Sequence, residues 1–289
     1  MRGRTPVVIM LLTLAGLFCY AEAPTYFGEP LPGLVPELFA PDRLTCYSLG
    51  GTFDPELGQF YCTWQDELGT ASRVVGYRTD GDAWIGINRL AFVATAHAIE
   101  PHISPDGTAL YYTGLGPRGQ WIAYISNLTE SGWSRARPLP AQINASEWTP
   151  MHLTSTLDGT LYFTQVSLSQ DRIVRCRRLE DGAYAEAEPL GDAINGSGRA
   201  AHPFISPDES FLLFDSPMGP QSTGYDIYIS RRMEDGSWSE PENLVEVNTT
   251  GQEICPVLTP DGAYLLFTRN ARIHWVDARV LDSYLIEVE

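Results

Sequence analysis

Lysine is absent from the 289 residues: all 19 basic residues are arginine, set against 36 aspartates and glutamates, for a formal net charge of −17. That balance excludes the broad phosphate contacts of a nucleic-acid binder. It also disfavours docking on an anionic lipid surface; what it supplies is solubility. The five cysteines form no Cys-x-x-Cys pair and no Cys/His cluster with zinc spacing, so neither a sulfur-held metal nor a cofactor is expected. The nucleophile elbow Gly-x-Ser-x-Gly is missing too: "INGSGRA" around Ser197 lacks its spacing and its strand–turn–helix setting. No 3.6-residue apolar period runs through the chain, which argues against a helical solenoid.

Long apolar runs are equally scarce. The one at the start, "PVVIMLLTLAGLF", falls short of the roughly 20 residues of a membrane span. Arg2 and Arg4 precede it and the small residues of "CYAEA" follow, the layout of an export signal over residues 1–23. Cleavage near Ala21 or Ala23 is expected, because Phe18 stands where a lipid-anchored precursor wants a small residue; anchoring through Cys19 is the alternative. An exported chain permits disulfides among Cys46, Cys62, Cys176 and Cys255. Three pairings are open, with Cys46 and Cys62 the best local candidates.

What the chain has in quantity is turns, with 26 glycines and 21 prolines. One phrase recurs: "FDPELGQFYCT", "ISPDGTALYYT", "STLDGTLYFT", "ISPDESFLLFD" and "LTPDGAYLLFT". Their acidic turn residues, Glu56, Asp106, Asp158, Asp208 and Asp261, are separated by 50, 52, 50 and 53 positions. A second turn rides on the same period in "RTDGDAW", "LTESGW", "LEDGAY" and "MEDGSW", each ending on an aromatic: Trp84, Trp133, Tyr184 or Trp238. Between the two turns lies a strand-like run such as "WIAYISN" or "YDIYISRR". Each unit therefore carries four short strands in two hairpins. The second strands are almost continuously apolar, as strands covered on both faces are.

Four antiparallel strands per unit of about 50 residues specify an all-β fold, a single β-propeller over residues 24–289. The units run over about 50–95, 100–145, 148–196, 200–248 and 253–280. The last unit lacks its own fourth strand, and "LVPELFAP" (Leu34 to Pro41) resembles the fourth-strand phrase "SEPENLVEV". The N-terminal segment is expected to close blade five by pairing with Ile273–Val276; a six-bladed ring is the alternative.

The phrases "EPHISPDGTALYYT", "HPFISPDESFLLF" and "YDIYISRRMEDGSWSEPENL" resemble the Pro-Asp type, WD-like repeats of TolB-like propellers, common in exported bacterial proteins. The resemblance covers about Leu34 to Ala278. It implies binding and scaffolding outside the cytoplasm, in the periplasm or secreted, and carries over no catalytic residue.

Candidate site residues come from the starts of the units. His102, His152 and His202 sit just before the first turns of units two to four, on strands that line the channel, and three imidazoles there could hold a metal. Their spacing from the neighbouring prolines differs, which argues against all three pointing inward and for backbone hydrogen bonding instead. Glu100, Glu147 and Glu253 precede the same strands and could reach a channel mouth, where paired acids would suit a glycan hydrolase. Asp106, Asp208 and Asp261 are expected to cap their own hairpins, and Trp84, Trp133 and Trp238 to pack between blades. Function is expected where the repeat is broken, including the loops Gly114–Gln120, Ser167–Asp171 and Ser216–Gly224. The reading is a monomeric, non-catalytic module for a protein, peptide or glycan. A propeller hydrolase using carboxylates or a metal is the alternative.

Overall fold

The computed structural model describes residues 24–44, 47–68, 71–81, 83–87, 89–145, 147–218 and 224–286. The expected export signal, residues 1–23, and Cys46 lie outside them. No helix among the described residues is long and apolar enough to cross a membrane.

Five antiparallel sheets follow the five repeat units. Blade one is built from Tyr47–Asp54, Gln59–Gln65, Ser72–Asp80 and Ala83–Gly86, paired in that order. Blades two to four start with the innermost strands Ala98–Ile103, Thr149–Ser155 and Ala201–Ile205. Blade five runs through Glu253–Leu258, Tyr264–Arg269 and Arg272–Asp277, and its outer strand is Glu37–Leu38 from the other end of the chain. Leu38 lies opposite His274 and Glu37 opposite Trp275, while the Phe39 amide donates to the Ile273 carbonyl at 3.0 Å. The ring thus closes at five blades, and the fifth cannot be completed without the N-terminal segment.

Closure is apolar as well as hydrogen-bonded. Phe39 is 1% exposed and meets Phe53, Phe60, Trp84 and Trp275 at centroid distances of 5.0–5.8 Å. The second strands are buried on both faces, as their unbroken apolar runs require: Leu110, Leu161, Leu212 and Leu265 are all completely covered. The outer strands are short. In blades three and four the aromatics Tyr184 and Trp238 make only isolated bridges, and pairing resumes at Glu188–Pro189 and Glu242–Asn243. Pro189 and Pro241 have no amide to continue the ladder.

The turn acids cap their hairpins. Asp106, Asp158, Asp208 and Asp261 each accept the amide two residues on, at 2.9–3.1 Å. In blade one the cap is Asp54, which takes the Glu56 and Leu57 amides; Glu56, aligned with the other turn acids by sequence, is not the capping side chain. The second Asp54 oxygen accepts Nε1 of Trp133 from the next blade at 2.9 Å. Trp133 is buried between blades as expected, whereas Trp84 and Trp238 are partly exposed. Cys176 and Cys255 are buried thiols, so neither takes part in a disulfide. The pairing of Cys46 with Cys62 falls on an undescribed residue.

Candidate functional site

Every innermost strand is interrupted by a bulge, and the bulged residue is left-handed: Gly50 (φ 54°), Glu100 (55°), His152 (49°), His202 (46°) and Cys255 (56°). Only the first is a glycine. A left-handed conformation costs other residues of order 1 kcal/mol or more, and runs of it collect at functional sites. The five stand at one level of the channel, one from each blade.

The preceding blade secures most of these residues. The amides of Gly50, Glu100 and His202 donate to Thr268, Thr63 and Thr164 at 3.1, 2.7 and 2.9 Å. Those threonines hold one place on the second strands, the last residue of "FYCT", "LYFT" and "LLFT". Two positions depart from the pattern. The His152 amide donates to the Glu100 carboxylate at 2.7 Å, while Thr113 donates to the Pro150 carbonyl. In blade four the threonine is replaced by Asp215, which accepts the Cys255 amide at 3.0 Å.

The replacement creates a charged cluster. Nδ1 of His202 lies 2.8 Å and 3.1 Å from the two Asp215 oxygens, and its Nε2 lies 3.6 Å from Oε1 of Glu100. The His152 ring stands edge-on to that of His202, 5.2 Å between centroids. Burial alone would favour neutral His202; the Asp215 carboxylate outweighs it and holds the imidazole well above its ordinary range. Burial keeps His152 well below that range and brings His102 down to about 3, so both are neutral. Burial raises Glu100 and pushes the Cys255 thiol up to about 11.

Four of the six candidate residues therefore reach the channel interior: Glu100, His102, His152 and His202. Only His152 and His202 are equivalent among the histidines. Glu100 shares their place, and His102 lies two residues further along its strand, where Nε2 accepts the Ser155 amide at 3.3 Å. Glu147 is exposed in the loop ahead of blade three. Glu253 is fully buried, but its carboxylate is held by Arg269 Nε at 2.7 Å and Thr249 Oγ1 at 2.6 Å. Among the described residues, no three His, Cys, Asp or Glu side chains are disposed to share a metal ion.

Asp215 and Cys255 escaped the sequence reading. Asp215 breaks a column otherwise made of Thr63, Thr113, Thr164 and Thr268, a signal the repeat alignment carries, whereas Cys255 shares its column with Gly50, Glu100, His152 and His202, where no residue type repeats around the whole ring.

The cluster lies between two cavities. On the side of the Pro-Asp turns, about 270 Å³ opens between Phe53, His102, Phe204 and Val257. On the opposite side, about 170 Å³ is lined by Met151, Thr164, Asp171, His202, Tyr225 and Gln252. Second strands end and first strands begin on that side, where the loops Gly114–Gln120, Ser167–Asp171 and the described part of Ser216–Gly224 also lie; of these, Asp171 lines the cavity.

No protein-family model matches the sequence, and no curated protein aligns with it. Solved structures similar in fold include TolB from Acinetobacter baumannii, at 14% identity and a TM-score of 0.48 over 79% of this chain and 53% of that one. The chain thus spans about half the length of that TolB. A gluconolactonase from Xanthomonas campestris aligns at 16% identity and a TM-score of 0.49, over 85% and 96% of the two chains. The β-propeller domain of the Trilobed protease from Pyrococcus furiosus aligns at 15% identity and 0.39, over 82% and 72%. TolB structures are thus among its neighbours, as the repeat phrases predicted. The likeness is one of fold, and the five-bladed architecture itself rests on the strand pairing.

Proposed function

We propose that this propeller is a non-catalytic binding module that works outside the cytoplasm and takes a protein, peptide or glycan at the mouth lined by Asp171, His202, Tyr225 and Gln252. The observation that carries the reading is the position of His202 between Asp215 and Glu100. A glycosidase keeps its two carboxyl groups about 5–9 Å apart with sugar and water in the gap. Here an imidazolium occupies the gap and engages both acids. Covalent catalysis fares no better, since the Cys255 thiol is 1% exposed and far from ionised at neutral pH. The export signal expected in residues 1–23 supports the location.

Charged and strained, the cluster acts as a rigid floor, and the ligand meets only its His202 edge. Screening the mature protein against peptide and glycan arrays, then following each bound compound by mass spectrometry, tests the reading. Ligands recovered intact, with affinity reduced in Asp171→Ala and Gln252→Ala, support it. Turnover of any bound compound would replace it with the hydrolase reading.

A further inference from the structure

A wide concavity lies away from the channel, between blades three and four. It is a groove of about 980 Å³ whose walls include Asp192, Met218, Asp226, Tyr228, Glu240 and Val245. Among the described residues, three carboxylates line it and no basic residue does.

Two polar groups at its floor lack what their burial calls for. Tyr228 is 5% exposed with its ring stacked on Phe214, yet among the described residues its hydroxyl finds no hydrogen-bond partner. A buried hydroxyl left unpaired is costly, and native proteins rarely leave one so. Asp226 stands two residues earlier on the same strand, hence on the same face. It is 8% exposed and, among the described residues, accepts one long bond from Asn243 Nδ2 at 3.2 Å and pairs with no cation. Burial raises its carboxyl, the mark of a charge without compensation. Met218 and Val245 add apolar surface, Val245 being 69% exposed.

We infer that this groove docks a basic peptide segment of a partner protein, with an arginine or lysine side chain seated on Asp226 and Tyr228. A guanidinium or ammonium donates to both the carboxylate and the phenolic oxygen, satisfying two buried groups at once. Asp192 and Glu240 attract neighbouring cations at the rim, and Met218 and Val245 cover the aliphatic part of the segment. The groove exceeds one side chain in volume, which selects a segment over a free amino acid. None of this depends on the channel mouth.

The test is fluorescence anisotropy with a labelled Leu-Arg repeat hexapeptide at near-physiological ionic strength, where diffuse attraction to the −17 charge is screened. Saturable binding is expected. Asp226→Asn should weaken it about tenfold and Tyr228→Phe about threefold, the scale of single hydrogen bonds to a charged group. Tyr228→Phe should leave the melting temperature unchanged or raised, since the hydroxyl has no partner among the described residues. Glu234→Gln, an exposed acid elsewhere, should leave affinity unchanged. Equal affinity across all these variants would reduce the effect to net charge and overturn the proposal. So would spermidine binding as tightly as the peptide, or no binding at all.

Discussion

The carboxylate of Asp215 lies 2.8 Å from Nδ1 of His202 in its own blade and 3.0 Å from the backbone nitrogen of Cys255 in the next. One buried acid thus holds an imidazole in its charged form and fastens the fourth blade to the fifth. At the same position blades one, three and five use a threonine for the fastening alone. The two roles can be separated by substitution.

Asp215→Ala removes both, leaving the buried Cys255 amide without its acceptor and His202 with Glu100 alone. A loss of about 3–5 kcal/mol is expected, as for other broken buried pairs. Asp215→Thr supplies the hydroxyl that the other blades use and should cost clearly less. Urea unfolding of the two variants measures the difference; equal losses would mean the fastening to Cys255 contributes nothing.

Stability should peak near neutral pH, and the two limbs have different owners. His202 has a raised folded-state pKa, so its stabilisation is complete below about 6.5 and is lost as pH climbs toward the folded value. His102 and His152 are lowered, so they resist protonation when folded but accept it when unfolded, and stability falls as pH drops below about 6.5. Histidine NMR resonances check the assignment directly. At neutral pH His202 should be imidazolium, and at mildly acid pH His102 and His152 should remain neutral.

The position shared by Trp133 and Trp238 should not be energetically uniform. Trp133 is 7% exposed and bonded to Asp54, so Trp133→Ala should cost about 3–5 kcal/mol. Trp238 is partly exposed, its Nε1 lacks a partner among the described residues, and Arg232 lies over its ring at 5.0 Å. Trp238→Ala should cost less, and a chemical denaturation series that ranked the two in reverse would contradict the packing described.

Closure of the ring should be sensitive to Phe39. Its side chain fills an aromatic cluster shared by blades one and five, and its amide extends the closing pair of strands. Phe39→Ala should cost about 3–5 kcal/mol and open the N-terminal segment to protease. A loss under about 1 kcal/mol, with cleavage unchanged, would show that the ring closes without it.

The fold was written locally, and therefore legibly. Turn residues, apolar second strands and a period near 50 are properties of neighbours in the chain, and each unit repeats the same solution to the same packing problem. Even the closing strand announced itself, because its phrase matches the outer strands of other blades. The bulges did not, since a left-handed Glu100 or Cys255 is imposed by side chains from an adjacent blade. The three histidines recur one unit apart but at different spacings from their prolines, and the fold resolves that mismatch as a two-residue offset that puts Glu100 rather than His102 in the ring with His152 and His202. Asp215, Cys255 and Glu100 come together only when blades two, four and five face one axis, and there burial and proximity, neither of which a sequence carries, decide which groups are charged.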